Sequence, residues 1–355
     1  MASMTSYERI LRTFQRRETD RVAICDNPWK GTIRRWQREG MPQDVDWRDY
    51  FDVDKIESIE VDISPRYECK VLEKTDRYTI STTPWGVTIK NFNEEDSTPE
   101  FIDFTVVTEE KWHEAKKRMT PSWDRVNWEY LKENYPKWRN DNRWIQGIFW
   151  FGFDVTHSWM VGTETLLIAL IEEPEWVKDM FNTYLDMCIA QFDMVWDAGY
   201  KFDSILWYDD MGYKNAPFFS NATYREILQS VHKRAVDWAH QKGIYAHLHS
   251  CGYIMPLLPD IVETGIDALN PIEIKAGMNI SELKNRYGKR IVLHGGINAA
   301  LWDKHDEILA EIEKSVPILN EGGGYIFSSD HSIPNSVSAQ NFRDIVNKVK
   351  MLTKR

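Results

Sequence analysis

The chain is poor in cysteine. Only Cys25, Cys69, Cys188 and Cys251 occur in 355 residues. They lie far apart and follow no disulfide-rich spacing, which excludes a disulfide-stapled scaffold and makes a reducing cytoplasm the expected compartment. Long apolar runs are also missing. No window approaches the ~18 uninterrupted apolar residues of a membrane-spanning helix. The opening MASMTSYERILRTFQRRETDRVAI has no apolar stretch before a cleavage site and reads as an amphipathic helix, so no secretory signal is expected. Positive charge is in deficit, with 44 Lys and Arg against 55 Asp and Glu and a net charge of -11. A nucleic-acid binder would need a basic stripe to neutralise phosphates, so no nucleic-acid partner is expected. No Gly-x-Gly-x-x-Gly follows a predicted strand, which removes the dinucleotide fingerprint. Low-complexity segments and strict short repeats are absent too.

What the chain does have is a 42% hydrophobic content, enough for a full core, and a recurring pattern. A short apolar run is followed by a turn and then an amphipathic helix. RVAICDNP predicts a first strand. YECKVLEKTDRYTISTTPWGVTIKNF alternates and carries turn residues, so an antiparallel excursion is expected within about residues 60–105. EKWHEAKKRM and WDRVNWEYLKENYPKW predict helices, and RWIQGIFWF a strand. Residues 163–199 read as a helical hairpin jointed at Pro174. From there strands and helices alternate: FDSILWYDD, IYAHLHSCG, IDALNPIE, RIVLHGGI and GYIFSSDHSIP are strands, each followed by a helix. That order implies parallel pairing with helical crossovers. Roughly eight such units predict an α/β fold, a single (β/α)8 TIM barrel over residues 1–355. A doubly wound open sheet is the alternative.

The segment AHLHSCG places a cysteine two residues after a histidine, where a strand runs out. Side chains alternate along a strand, so Tyr245, His247 and His249 share a face and Cys251 continues it. Barrel active sites sit at the C-terminal ends of strands. A catalytic zinc takes three protein ligands from cysteine, histidine and carboxylates and keeps one open position. His249, Cys251 and a distant His331, in SSDHSIP, are the candidate metal ligands, with Asp330 as an alternate. A histidine beside a cysteine at a strand end is also ordinary packing.

The segments AHLHSCGYIMPLLPDIVETGIDALNPIE, LHGGINAALW and GGGYIFSSDHSIP resemble the uroporphyrinogen decarboxylase superfamily. The opening YERILRTFQRRETDRVAI is similar to that family's start, so the resemblance covers essentially the whole chain. It implies a (β/α)8 barrel. The decarboxylases bind a tetrapyrrole with arginines in a motif like Arg-x-Ala-Gly-Arg after the first strand, and DNPWKGTIRRWQREG lacks it. The zinc-dependent corrinoid methyltransferases, such as the methylcobamide:coenzyme M enzymes, bind zinc through His-x-Cys and a distant cysteine. His249 and Cys251 match the first two positions, and His331 stands where the third cysteine would be.

The resemblance implies a zinc-assisted methyltransferase. It would move a methyl group between a small methylated compound, or a thiol- or folate-type acceptor, and a corrinoid carried by a separate protein. Zinc lowers the pKa of a coordinated thiol or oxygen, which makes the anion available near neutral pH. Asp209 and Asp210, ending SILWYDD, are the candidate acid and base with His294 of LHGG. Asp26, Asn27, Trp29, Asp154, His157, Trp207, Asn270 and Glu273 are candidate substrate-binding residues at other strand ends. Trp29, Trp85, Trp159 and Trp207 offer aromatic faces for a methylated ammonium or an aryl methyl ether. A homodimer is compatible with the family. The alternatives are a metal-free lyase acting on a carboxylated ligand and a non-catalytic ligand-binding barrel.

Overall fold

In a computed structural model, residues 3–93 and 98–355 are described. Twelve strands lie among them: β1 (Ala23–Ile24), β2 (Ile56–Ile59), β3 (Val71–Lys74), β4 (Tyr78–Thr82), β5 (Val87–Phe92), β6 (Glu100–Phe104), β7 (Trp144–Phe149), β8 (Ser204–Tyr208), β9 (Tyr245–His249), β10 (Ala268–Asn270), β11 (Val292–His294) and β12 (Tyr325–Phe327). Eight of them pair in one sheet of order β1-β12-β11-β10-β9-β8-β7-β2, and every pairing in it is parallel. Parallel neighbours need crossovers, and helices supply most of them. The expected excursion is a separate antiparallel sheet of order β3-β4-β5-β6.

Helix starts carry side chains suited to the task. Thr5 and Glu8 form a reciprocal capping box, and Thr108, Asn127, Asn279 and Ser338 each accept a first-turn backbone N–H. Pro174 opens the helix Pro174–Asp197, where its missing N–H has no helical partner to lose.

Three elements differ from the sequence expectation. β2 precedes the excursion and was not anticipated, because its segment IESI offers an alternation too short and too polar to stand out. Its Glu57 pairs with Arg48 and Arg143. WDRVNWEYLKENYPKW is not one helix. A 3-10 turn, Trp123–Arg125, ends before the helix Trp128–Asn140, whose start is capped by Asn127. YIMPLLPDIVETG shortens to the helix Leu258–Glu263, with Pro259 in its first turn.

Period-two alternation divides the parallel sheet into two faces. Ile145, Phe149, Ile205, Trp207, Leu248, Leu269, Leu293 and Phe327 join the large core shared with the helices. On the other face, Ala23, Cys25, Trp144, Ala268, Val292 and Ile326 form a second core with Ile10 and Phe14. Phe14 stacks on Trp144 at 5.3 Å and on Tyr245 at 4.6 Å. The N-terminal helix Ser6–Phe14 thus seals one end of the inner face. No helix among the described residues is long and apolar enough to cross a membrane.

The two edge strands are joined through Asp54. Its backbone N–H donates to the Ile24 carbonyl at 2.9 Å, and its carboxylate accepts from the Ile24 N–H at 2.8 Å. Arg9 and Arg21 pair with the same carboxylate, which is fully buried. Removing one partner of a buried pair leaves the other charge without compensation. Asp54→Ala should therefore lose about 3–5 kcal/mol in denaturant unfolding; a loss under about 1 kcal/mol would show that the edges hold without it.

Candidate functional site

A cavity of about 510 Å³ opens where the parallel strands end. Its wall includes Tyr208 and Asp210 after β8, His249 and Cys251 after β9, Asn270 of β10, His294 of β11, and Ser328 to Ser332 after β12. Alternation decides membership. Leu206, Tyr208 and Asp210 face the cavity, whereas Trp207 and Asp209 face the helices.

Three side chains converge at its mouth. Ligand atoms of Asp210, His249 and Cys251 lie within 4.8 Å of one another. Cys251 Sγ stands 3.4 Å from His249 Nε2, and Asp210 Oδ1 stands 3.7 Å from the same nitrogen. His249 Nδ1 donates to the Asn270 Oδ1. That bond places the ring proton on Nδ1 and turns the lone pair of Nε2 toward the cluster, as an outer partner of a metal-bound histidine does. The Cys251 N–H donates to Asp210 Oδ1 at 2.7 Å. Burial pushes both the Cys251 thiol and the Asp210 carboxyl above their usual ranges. A cation would favour their anionic forms, and carboxylate, imidazole and thiolate are all zinc donors. The residues fit such an ion.

The loops carrying these residues touch at backbone level. Gly252 has φ +81°, and a Cβ there would lie 2.2 Å from the Gly212 carbonyl carbon. Gly212 N–H donates to the Cys251 carbonyl at 3.2 Å. Any side chain at Gly252 would push Asp210 and Cys251 apart.

The other expected residues separate into groups. Asp26 and Asn27 line the cavity, and Trp29 stands beside His331 with ring centres 6.5 Å apart. His331 lines the cavity but lies outside the converging trio. Asp330, its neighbour, accepts from the Ile274 and Ala299 N–H groups. His294 Nε2 faces the Cys25 carbonyl at 3.3 Å, and burial lowers its pKa to about 4. Asp154, His157 and Glu273 line an outer cleft of about 320 Å³ that shares Asp210 and Cys251 with the cavity. There the Glu273 carboxylate accepts from the Gly252 N–H at 2.7 Å.

Asp209 and Trp207 are not brought to the cavity. Asp209 is buried on the helix side, 2.8 Å from His232 Nε2, and accepts from the Asp154 N–H at 2.8 Å. His232 Nδ1 in turn meets the Tyr224 hydroxyl at 3.0 Å. Trp207 stacks on Phe151 at 5.7 Å within the core. Trp85 and Trp159 line a separate pocket with Trp150. Tyr208, Ser58 and Gln146 line the cavity but were not singled out from sequence. Alternation from Asp210 points to Tyr208; Ser58 lay in the unrecognised β2.

The sequence profile of the family described as Uroporphyrinogen decarboxylase (URO-D) matches residues 155–352, more than half of the chain. The chain belongs to the uroporphyrinogen decarboxylase (URO-D) family. Two curated URO-D relatives are the uroporphyrinogen decarboxylases of Nitrosospira multiformis, 29% identical over 99 residues, and of Shewanella piezotolerans, 27% identical over 97. These matches cover 28% and 27% of this chain, and only 26% and 27% of the relatives' own length. Among solved structures, a methyltransferase from Methanosarcina mazei shares the fold of this URO-D chain, with a TM-score of 0.67 over 99% of both chains at 16% identity.

Asp26 provides a test of the cavity's electrostatics. Burial pushes its carboxyl up to about 7, and the Asp330 charge adds to the shift, against N–H donors from Ser329 and Asn27. The folded carboxyl holds its proton while the unfolded one ionises near the ordinary value of ~3.9. Between those two values the unfolded state binds fewer protons, so this group lowers stability as pH rises and adds no slope above about 7. Denaturant unfolding of wild type and Asp26→Asn across that range should show the wild type losing ground between about pH 4 and 7, then holding a constant difference. A difference independent of pH would contradict the raised value.

Proposed function

We propose that this chain is a metal-assisted methyltransferase that demethylates a small methylated compound, the methyl group passing to a corrinoid carried by a separate protein. The observation that carries the reading is the convergence of Asp210, His249 and Cys251 where the cavity meets the outer cleft. Membership of the family and the shared fold with the Methanosarcina mazei methyltransferase support it. We also read the parallel sheet as a single (β/α)8 barrel closed at the Ile24–Asp54 seam.

Zinc would be held by His249, Cys251 and Asp210, with His331 left at the rim. When bound, it would supply Lewis acidity toward the electron pair that stays on the substrate heteroatom as the methyl group leaves. The chain's own residues do the rest. Asn270 fixes the tautomer of His249 and leaves Nε2 free to bind. The cavity encloses the methylated compound away from water, and the outer cleft, lined by Asp154, His157, Tyr213, Phe218 and Glu273, faces a docked partner. Asp26, about half protonated at neutral pH with its carboxyl raised to about 7, would protonate the heteroatom that has lost its methyl group.

A tetrapyrrole or other polycarboxylate would need free cations in the cavity. Arg48 is the guanidinium on its wall, and it is engaged by Asp46, Glu57 and the Ile56 carbonyl. This counts against the lyase alternative.

Elemental analysis of protein purified without chelator should find one zinc per chain. Cys251→Ala and His249→Ala should lose it, Asn270→Ala should weaken it by about 10–100-fold, and His331→Ala should retain it. Loss of cob(I)alamin absorbance on adding a methyl ether should follow metal content across these variants. A wild type free of metal, or a Cys251→Ala variant that keeps it, would sink the reading. Metal lost in His331→Ala but kept in Asp210→Asn would replace Asp210 by His331 as the third ligand.

A further inference from the structure

The cavity continues inward past the three converging side chains. Along β8 its wall runs from Asp210 through Tyr208 to Leu206, and across β7 and β2 it reaches Gln146 and Ser58. Gln146 pairs in register with Ser204, four residues before Tyr208 along β8, so it lies deep beneath the mouth. Gln146 Nε2 donates to Ser58 Oγ at 3.2 Å. Its Oε1 has no hydrogen-bond partner among the described residues. Cys25, His247 and His294 also line the cavity, and the rings of His247 and His294 lie 5.3 Å apart.

Charge is the decisive property of that end. A buried carboxylate or sulfonate is compensated best by a cation with unused donors. Arg48 is already committed, since Nε and Nη2 serve Asp46, Nη2 also meets Glu57 and Nη1 serves the Ile56 carbonyl, so its charge is balanced by two carboxylates. Asp54, the acidic group on the same wall, is committed to Arg9 and Arg21. His294 is neutral, as its lowered pKa of about 4 requires. What faces the deep cavity is therefore an uncharged amide, hydroxyls and a neutral imidazole. Such groups reward a hydroxyl or carbonyl, and they leave a buried anion without compensation.

We infer that the Gln146–Ser58 end of the cavity is a subsite for an uncharged hydrogen-bonding oxygen of the substrate, so that the methylated compound is a neutral one bearing a hydroxyl or carbonyl at the end opposite its methyl group. The inference rests on the proposed binding of a methylated compound in this cavity. Gln146 acts as a specificity-determining residue: its free Oε1 accepts from a substrate hydroxyl, while Ser58 holds the amide in place.

The test uses the full chain and three ligands of nearly equal shape: para-methoxybenzyl alcohol, para-methoxybenzoate and para-methylanisole. Calorimetric titration of the wild type should show the alcohol binding at least about tenfold tighter than either of the others, the span of one hydrogen bond to a buried group. Gln146→Leu should remove the alcohol's advantage over para-methylanisole, and Gln146→Arg should shift preference to the benzoate. Zinc content, measured in parallel, should not change in either variant. Equal or tighter binding of the benzoate by wild type would overturn the subsite, as would an undiminished alcohol preference in Gln146→Leu. Should both variants fail to fold, the wild-type comparison of the three ligands still decides. A metal-free protein that nonetheless prefers the alcohol would keep the subsite and remove the methyl-transfer reading. A zinc-bound protein with no preference would remove the subsite alone.

Discussion

One buried carboxylate joins the ends of the parallel sheet. β1 is only two residues long and pairs with β12, and β2 pairs with β7, so each would otherwise present an unpaired edge. Asp54, two residues before β2, answers the β1 edge: its backbone N–H and its carboxylate satisfy the carbonyl and N–H of Ile24. Exposed strand edges invite pairing with other chains, so this junction has consequences beyond local geometry. Two arginines compensate the charge, and Arg9 also binds Asp20, which ties the N-terminal helix to the same point. The helix that seals the inner face and the carboxylate that joins the edges form one assembly. The cavity wall includes Asp54 itself, so its shape depends on that assembly holding.

A second constraint is the alternation of strand side chains. It sends the adjacent carboxylates of Tyr208-Asp209-Asp210 to opposite sides of the sheet. Asp210 reaches the metal-type cluster. Asp209 enters a buried network with His232 and Tyr224 and accepts the Asp154 N–H, which anchors the helix Phe153–Trp159 beside the outer cleft. The two neighbours therefore serve the same region from different sides, one by facing the cavity and one by fixing a wall.

This is also where the sequence was most and least legible. The helix-and-strand alternation after residue 140 carried strong periodic signals, and the parallel sheet follows them closely. His249 and Cys251 were legible because a two-residue spacing on a strand means one face. Alternation from Cys251 through His249 leads to His247, which does line the cavity. The same rule applied to SILWYDD would have separated Asp209 from Asp210 and Trp207 from Tyr208. The partner of His249 and Cys251 was harder to read. Asp210 reaches them because Gly212 and Gly252 let two loops touch, a contact between residues 40 apart that no local pattern announces. β2 is hard to read for a related reason, since its inward residues Ile56 and Ser58 alternate with a glutamate whose charge is neutralised by arginines distant in sequence.

Taken together, the inner face is graded along its depth. Aromatic and aliphatic side chains under Phe14 close the bottom. Uncharged polar groups occupy the middle. Carboxylates, an imidazole and a thiol gather at the top, where the outer cleft adds Asp154 and Glu273. In the proposed binding mode, a compound entering this gradient tail-first would place its hydrogen-bonding end among neutral donors and acceptors and its reactive end among groups that favour a cation. Burial makes each of these preferences stronger than it would be in water, because an unmatched polar group or charge cannot fall back on solvent. The proposed chemistry at the top and the proposed selectivity in the middle thus rest on the same property of the fold: strands that expose every second residue to one cavity.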